Sequence, residues 1–194
     1  MNAPANGWKV FGAHTPLLTC EYSFGPGTAT SLAVGGRVGL IVVSPPCRVA
    51  ADVFEALSRH GPVRALVASN AFHHLSLPEW KARFPEALVF APAQSIARVE
   101  RQTKIRGIRP LAEASAITGS RLEPVDMPHY KTGEVLVRVA SERGLISYVT
   151  DVVMNFPKLP RNPIAKIVFG LSGSGPGLKF NNIAPLSIRR NCAA

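Results

Sequence analysis

Hydrophobic residues in this chain fall into short bursts separated by Gly, Pro and polar breaks. The burst at residues 63–68 reads as a buried strand. Ser69 and Asn70 break it, and two adjacent histidines, His73 and His74, follow. Pro78-Glu79-Trp80 then opens a helix, with Pro early in its first turn and an acid beside it. A second burst at residues 87–91 closes a unit of strand, loop, helix and strand. Open α/β sheets place ligands at loops leaving the carboxyl ends of buried strands. The histidine loop is such a place, and the rest of the chain is organised around it.

Upstream, residues 8–11 alternate weakly, and bursts at residues 28–34 and 38–43 flank Gly35-Gly36-Arg37, a hairpin signal. Val49, Val53, Phe54 and Leu57 have helical spacing within residues 48–60, and Gly61-Pro62 stops that helix. Downstream, residues 94–102 read as a helix, while Gly107 and Pro110 interrupt any pattern in residues 105–120. A strand is expected at residues 122–127, ending at Pro128-His129. Residues 134–140, EVLVRVA, alternate cleanly and predict a strand with one wet face. A buried strand at residues 145–150 delivers Asp151 at its carboxyl end. Beyond residue 155 prolines punctuate a loop, residues 164–171 could form a short apolar helix, and residues 172–177 are a flexible break. Trp80 and Phe84, four apart on one helix, read as core.

A length of 194 residues fits one domain over residues 1–194, with a loop-rich segment at residues 156–194. The 46% hydrophobic content can fill a core, and 16 Gly with 17 Pro favour many short elements over a helical bundle. No apolar run approaches the ~20 residues of a transmembrane segment, and no secretory signal opens the chain. Cys20, Cys47 and Cys192 make neither a disulfide framework nor a metal clip, which fits a reducing cytoplasm. Cys47 reads as structural. The net charge of +10 agrees with a solvated basic surface or with an anionic partner, such as a small anionic substrate. Nucleic acid is not supported by any motif, and the basic stretches lack interleaved aromatics.

His73, His74, His129 and Asp151 each follow a predicted strand, where loops gather at one sheet edge. Imidazoles and a carboxylate suit zinc, iron or manganese. Three stretches resemble the metallo-β-lactamase fold superfamily over about residues 8–156. LVASNAFHHL resembles a degenerate form of its strand followed by H-x-H-x-D-H. MPHYKTGEVLVRV resembles its second His motif, and LISYVTDVVMN the strand that supplies its bridging carboxylate. The resemblance implies an α/β (α+β) fold, an αββα sandwich with metals at the sheet edge, here incomplete at the C-terminus.

The chain also departs from that pattern. Asn70 stands where the motif's first His would be, and His73 stands where it has Asp. Thr150 replaces the usual Gly before Asp151, and the family's final His has no counterpart. A two-metal clamp is therefore not expected. The resemblance implies one mononuclear site drawn from His73, His74, His129 and Asp151, activating water for hydrolysis. Asp151 and His73 are then the catalytic candidates, with the general base unassigned. Asn70 and Tyr130 are candidate substrate contacts, Asn70 also reading as a residue that turns the loop and Tyr130 as one that packs at a strand edge. The alternative is a non-catalytic member of the same fold that binds an anionic partner through its basic surface. Oligomeric state is left open.

Overall fold

A strand buried on both faces sends alternate side chains into two separate cores, and the central strands of this chain do so. The computed structural model describes residues 7–11, 16–23, 28–119, 122–127, 130, 132–141, 144–156, 163–171, 173 and 177–181. β1 (Trp8–Val10), β2 (Leu17–Ser23), β3 (Thr28–Gly35) and β4 (Leu40–Val43) pair antiparallel in chain order. α1 (Ala51–Ser58), β5 (Val63–Val67), α2 (Leu77–Arg83), β6 (Leu88–Ala91), α3 (Ile96–Thr103) and the short β7 (Arg109–Pro110) follow. β4 to β7 pair in parallel, so one mixed sheet runs from β1 to β7. A 3-10 turn (Leu111–Ala114) and α4 (Ser115–Thr118) lead into β8 (Leu122–Asp126), β9 (Val135–Ser141) and β10 (Gly144–Tyr148), a separate antiparallel sheet of three. β11 (Val153–Phe156) pairs with β12 (Gly177–Phe180), and α5 (Pro163–Leu171) lies in their connection.

The two cores explain this layering. Leu40, Val42, Leu66 and Val89 point toward the helices, where Phe54, Leu57, Leu77, Trp80 and Val99 meet them. Ile41, Val43, Ala65, Val67 and Phe90 point the other way, onto Leu122, Val135, Val137 and Val139 of the small sheet. Helices, large sheet and small sheet are thus three stacked layers. A void of about 10 Å³ lies between the two sheets beside Ile41, Phe90 and Val137.

α2 is held by more than apolar contact. Pro78 and Glu79 stand in its first turn and Lys81 and Arg83 in its last, as the helix dipole favours. Trp80 is fully buried, packs on Phe54 and Phe84, and donates from Nε1 to the Pro46 carbonyl at 2.9 Å. Ser76 Oγ donates to the Pro45 carbonyl at 2.5 Å. Both bonds pin the start of α2, and with it the end of the histidine loop, to the loop leaving β4.

The mixed α/β class matches the expectation, as do β5, α2, β6 and the β3–β4 hairpin. One reading needs correction. The strand after residue 144 is expected to be buried, but Leu145 is 66% exposed and β10 is an edge of the small sheet. No described helix is long and apolar enough to cross a membrane.

Candidate functional site at the strand ends

β5 ends at Val67, and the chain then turns on Asn70. Asn70 Oδ1 accepts from the backbone N–H groups of Phe72 at 2.8 Å and His73 at 3.2 Å, an Asx-type turn. Those two donors identify the oxygen, so the amide nitrogen must face the other way. There Nδ2 donates to Asp151 Oδ2 at 2.8 Å and to Glu134 Oε2 at 3.1 Å. The buried amide therefore bridges two carboxylates delivered by two different strands of the small sheet's meander.

Glu134 is the residue that sequence reasoning missed. The alternation of EVLVRVA places it on the wet face with Leu136 and Arg138, yet it is only 2% exposed. It precedes β9 rather than belonging to it, and its carboxylate is fully engaged. Besides Asn70, Thr150 Oγ1 and the Val135 N–H donate to Oε1. The available signal was an acid standing directly after a Gly turn, Gly133-Glu134. Gly133 has φ +66°, and a Cβ there would lie 2.6 Å from Pro92 Cβ, so only glycine fits. The Ala71 N–H donates to the Thr132 carbonyl at 2.8 Å, tying this turn to the histidine loop.

Asn70 and Thr150 thus meet on one carboxylate. Both supply hydrogen-bond donors.

His73 Nε2 lies 3.3 Å from Asp151 Oδ1, so Asp151 uses one oxygen for the imidazole and the other for Asn70. The Asp151 side chain is 40% exposed and that of His73 16%, so the pair is the part of the cluster open to solvent. Burial works against the Asp151 charge, but the hydrogen bond and electrostatic pull of His73, with the Asn70 bond, hold its pKa below the usual carboxylate range. Glu134 shifts the opposite way. Its burial outweighs the bonds from Thr150 and Asn70, and the neighbouring Asp151 charge adds to the rise.

The four expected metal ligands are placed as follows. His73 and Asp151 come together. The His74 Nδ1 lies 2.9 Å from the Ala71 carbonyl, within its own loop. His129 lies outside the described residues. Among the described residues, no group of three His, Cys, Asp or Glu is arranged to hold a metal ion. The described donors make an imidazole–carboxylate pair rather than a chelating set. Tyr130 sits in the turn between Met127 and Gly133, bonded through its backbone.

The surroundings are polar beneath and apolar at the rim. Ser44, at φ 50°, shares a 2.5 Å hydrogen bond with Ser69. Tyr148 donates to the Thr30 carbonyl at 2.6 Å, and burial raises its pKa. Cys47 is buried against the Ser23 carbonyl, as a structural cysteine would be. Burial, with help from Glu21, pushes the Cys20 thiol up to about 11, so it stays protonated at neutral pH. On the outside Phe72 is half-exposed, and the Arg98 guanidinium stands 4.6 Å from its ring centroid, a cation–π contact. No family model and no curated protein matches the chain.

Proposed function

We propose that the chain is a hydrolase with a reduced centre on a metallo-β-lactamase-type αββα fold, in which the His73–Asp151 pair activates water. The observation that carries this reading is the pair itself: a solvent-accessible imidazole bonded to an ionised carboxylate at the strand ends. Asp151 orients the ring and stabilises the imidazolium that forms when the imidazole takes a proton from water. Asn70 keeps Asp151 in place and in its charged form, because an amide N–H bond favours the carboxylate. Glu134 is buried behind them, and its burial raises its pKa, so it takes up a proton more readily than Asp151 does. The half-exposed Phe72 and Arg98 at the rim suit a substrate with an apolar part and an anionic part.

The test is hydrolysis of ester, phosphodiester and lactam probes, with metal content measured on the same sample. Turnover that survives a chelator and falls at least a hundredfold in His73→Ala and Asp151→Asn supports the pair. Equimolar zinc, iron or manganese, with turnover lost on chelation, assigns the water activation to a mononuclear ion instead. Turnover unchanged in both variants overturns the proposal.

A second reading, a non-catalytic binder of an anionic partner, is favoured by one observation. Asn70, Thr150 and the Val135 N–H all donate to Glu134, and Asn70 and His73 engage both oxygens of Asp151, which is how a purely structural network looks. No turnover on any probe, with binding to a polyanion that weakens steeply with salt, selects this reading.

A further inference from the structure

The chain beyond β10 carries large apolar side chains on its outside. α5 exposes Ile164, Ile167 and Leu171 at 73%, 60% and 86%. Spaced i, i+3 and i+7, they form one helical face. β12 exposes Leu178 and Phe180 at 72% and 70%, two residues apart and so on one side of the strand. The antiparallel register from Val153↔Phe180 to Phe156↔Gly177 makes the helix and the strand parts of one excursion that leaves and rejoins the same strand pair. Isolated surface leucines need no explanation, but five such side chains on one short excursion mark an interaction surface.

Charge identifies what covers it. After Asp151 the sequence has six basic residues, Lys158, Arg161, Lys166, Lys179, Arg189 and Arg190, and no acid. Lys166 and Lys179 are exposed on these same two elements, α5 and β12. A protein partner ordinarily presents both signs of charge around an apolar patch, whereas a bilayer with anionic headgroups presents apolar depth and one sign of charge. The nine residues of α5 span about 14 Å, too short for a hydrocarbon core of ~30 Å, so the helix lies on a bilayer rather than across it.

We propose that α5 and β12 dock this protein on an anionic membrane surface, with Ile164, Ile167, Leu171, Leu178 and Phe180 entering the headgroup boundary. This stands independently of the strand-end site. The experiment is co-sedimentation of the full chain with phosphatidylcholine vesicles, with and without phosphatidylglycerol. Binding is expected only with phosphatidylglycerol, and high salt weakens it. Ile167→Ser/Leu171→Ser and Lys166→Glu/Lys179→Glu each reduce it at least about tenfold. These side chains are exposed, so an unchanged thermal melt accompanies the loss. His73→Ala binds as the parent does, which separates this surface from the site. Equal binding to neutral vesicles, no binding, or binding unaffected by the substitutions overturns the proposal. So does self-association of the free chain that the apolar substitutions abolish, since a second copy then covers the face.

Discussion

Asn70 and Asp151 stand 81 positions apart, yet the amide of one donates to the carboxylate of the other at 2.8 Å. The bond joins the loop after β5, in the large sheet, to the loop after β10, in the small one. The same amide nitrogen reaches Glu134, and the amide oxygen folds its own loop. One side chain therefore holds together the strand ends of two layers.

Asn70→Ala removes all four of those bonds and leaves Glu134 short of a donor in a buried place. Each buried polar group left unpaired costs about 1–3 kcal/mol, so a loss of at least about 2 kcal/mol is expected. Urea denaturation, at an unchanged slope, measures it. Asn70→Asp is worse at neutral pH because it sets a third carboxylate among two, and its deficit shrinks on acidification.

Stability should respond to pH from both sides of this cluster. Asp151 is depressed in the folded chain, so its contribution is present above its ordinary value and is lost as pH falls through its folded pKa. Glu134 is raised, so the folded chain holds a proton that the unfolded chain releases, and stability declines as pH rises from the ordinary glutamate value through the folded one. Half-buried Asp126, raised by its burial, acts with the same sign. Melting temperature against pH is expected to peak on the acid side of neutrality. Glu134→Gln flattens the alkaline limb, and Asp151→Asn flattens the acid limb.

Gly133→Ala tests how the small sheet delivers Glu134. A methyl group there meets Pro92 at 2.6 Å, and the backbone is already at φ +66°. Strain of this kind costs on the order of 1–3 kcal/mol, and relief requires the turn to move away from the Pro92 loop. The Ala71–Thr132 bond moves with it. The variant should therefore lose stability and also speed amide exchange at Ala71, whereas Gly144→Ala, which meets nothing within 4 Å, should leave Ala71 protected.

Much of this architecture can be read along the chain because alternation and burial are coupled. Val63–Val67 and Leu88–Ala91 are apolar enough to announce strands buried on both faces, and Pro78 announces where α2 begins. β2 alternates Leu18, Cys20 and Tyr22 with Thr19, Glu21 and Ser23, which is a half-buried strand pattern, and it pairs along its whole length with β3. β11 and β12 are four residues each, too short for any period to show. At the site, topology brought His73 and Asp151 together as their positions after strands implied. Glu134 was hidden because alternation assigns faces only inside a strand, and it stands one residue outside. That Asn70 and Thr150 serve the same carboxylate is a contact across 64 and 16 positions, which no local pattern encodes.

Trp80 separates the packing role of α2 from its anchoring role. Its ring is fully buried against Phe54 and Phe84, and its Nε1 supplies a hydrogen bond to the Pro46 carbonyl. Trp80→Ala opens a large cavity and also orphans that carbonyl, so a loss of about 3–5 kcal/mol is expected. Trp80→Phe keeps most of the apolar contact and loses the donor, so the expected cost is about 1–3 kcal/mol. The anchor at Pro46 holds the end of the histidine loop, so hydrogen exchange at His73 and His74 should quicken in both variants. If it quickens in Trp80→Ala alone, ring packing positions the loop and the bond to Pro46 adds only stability.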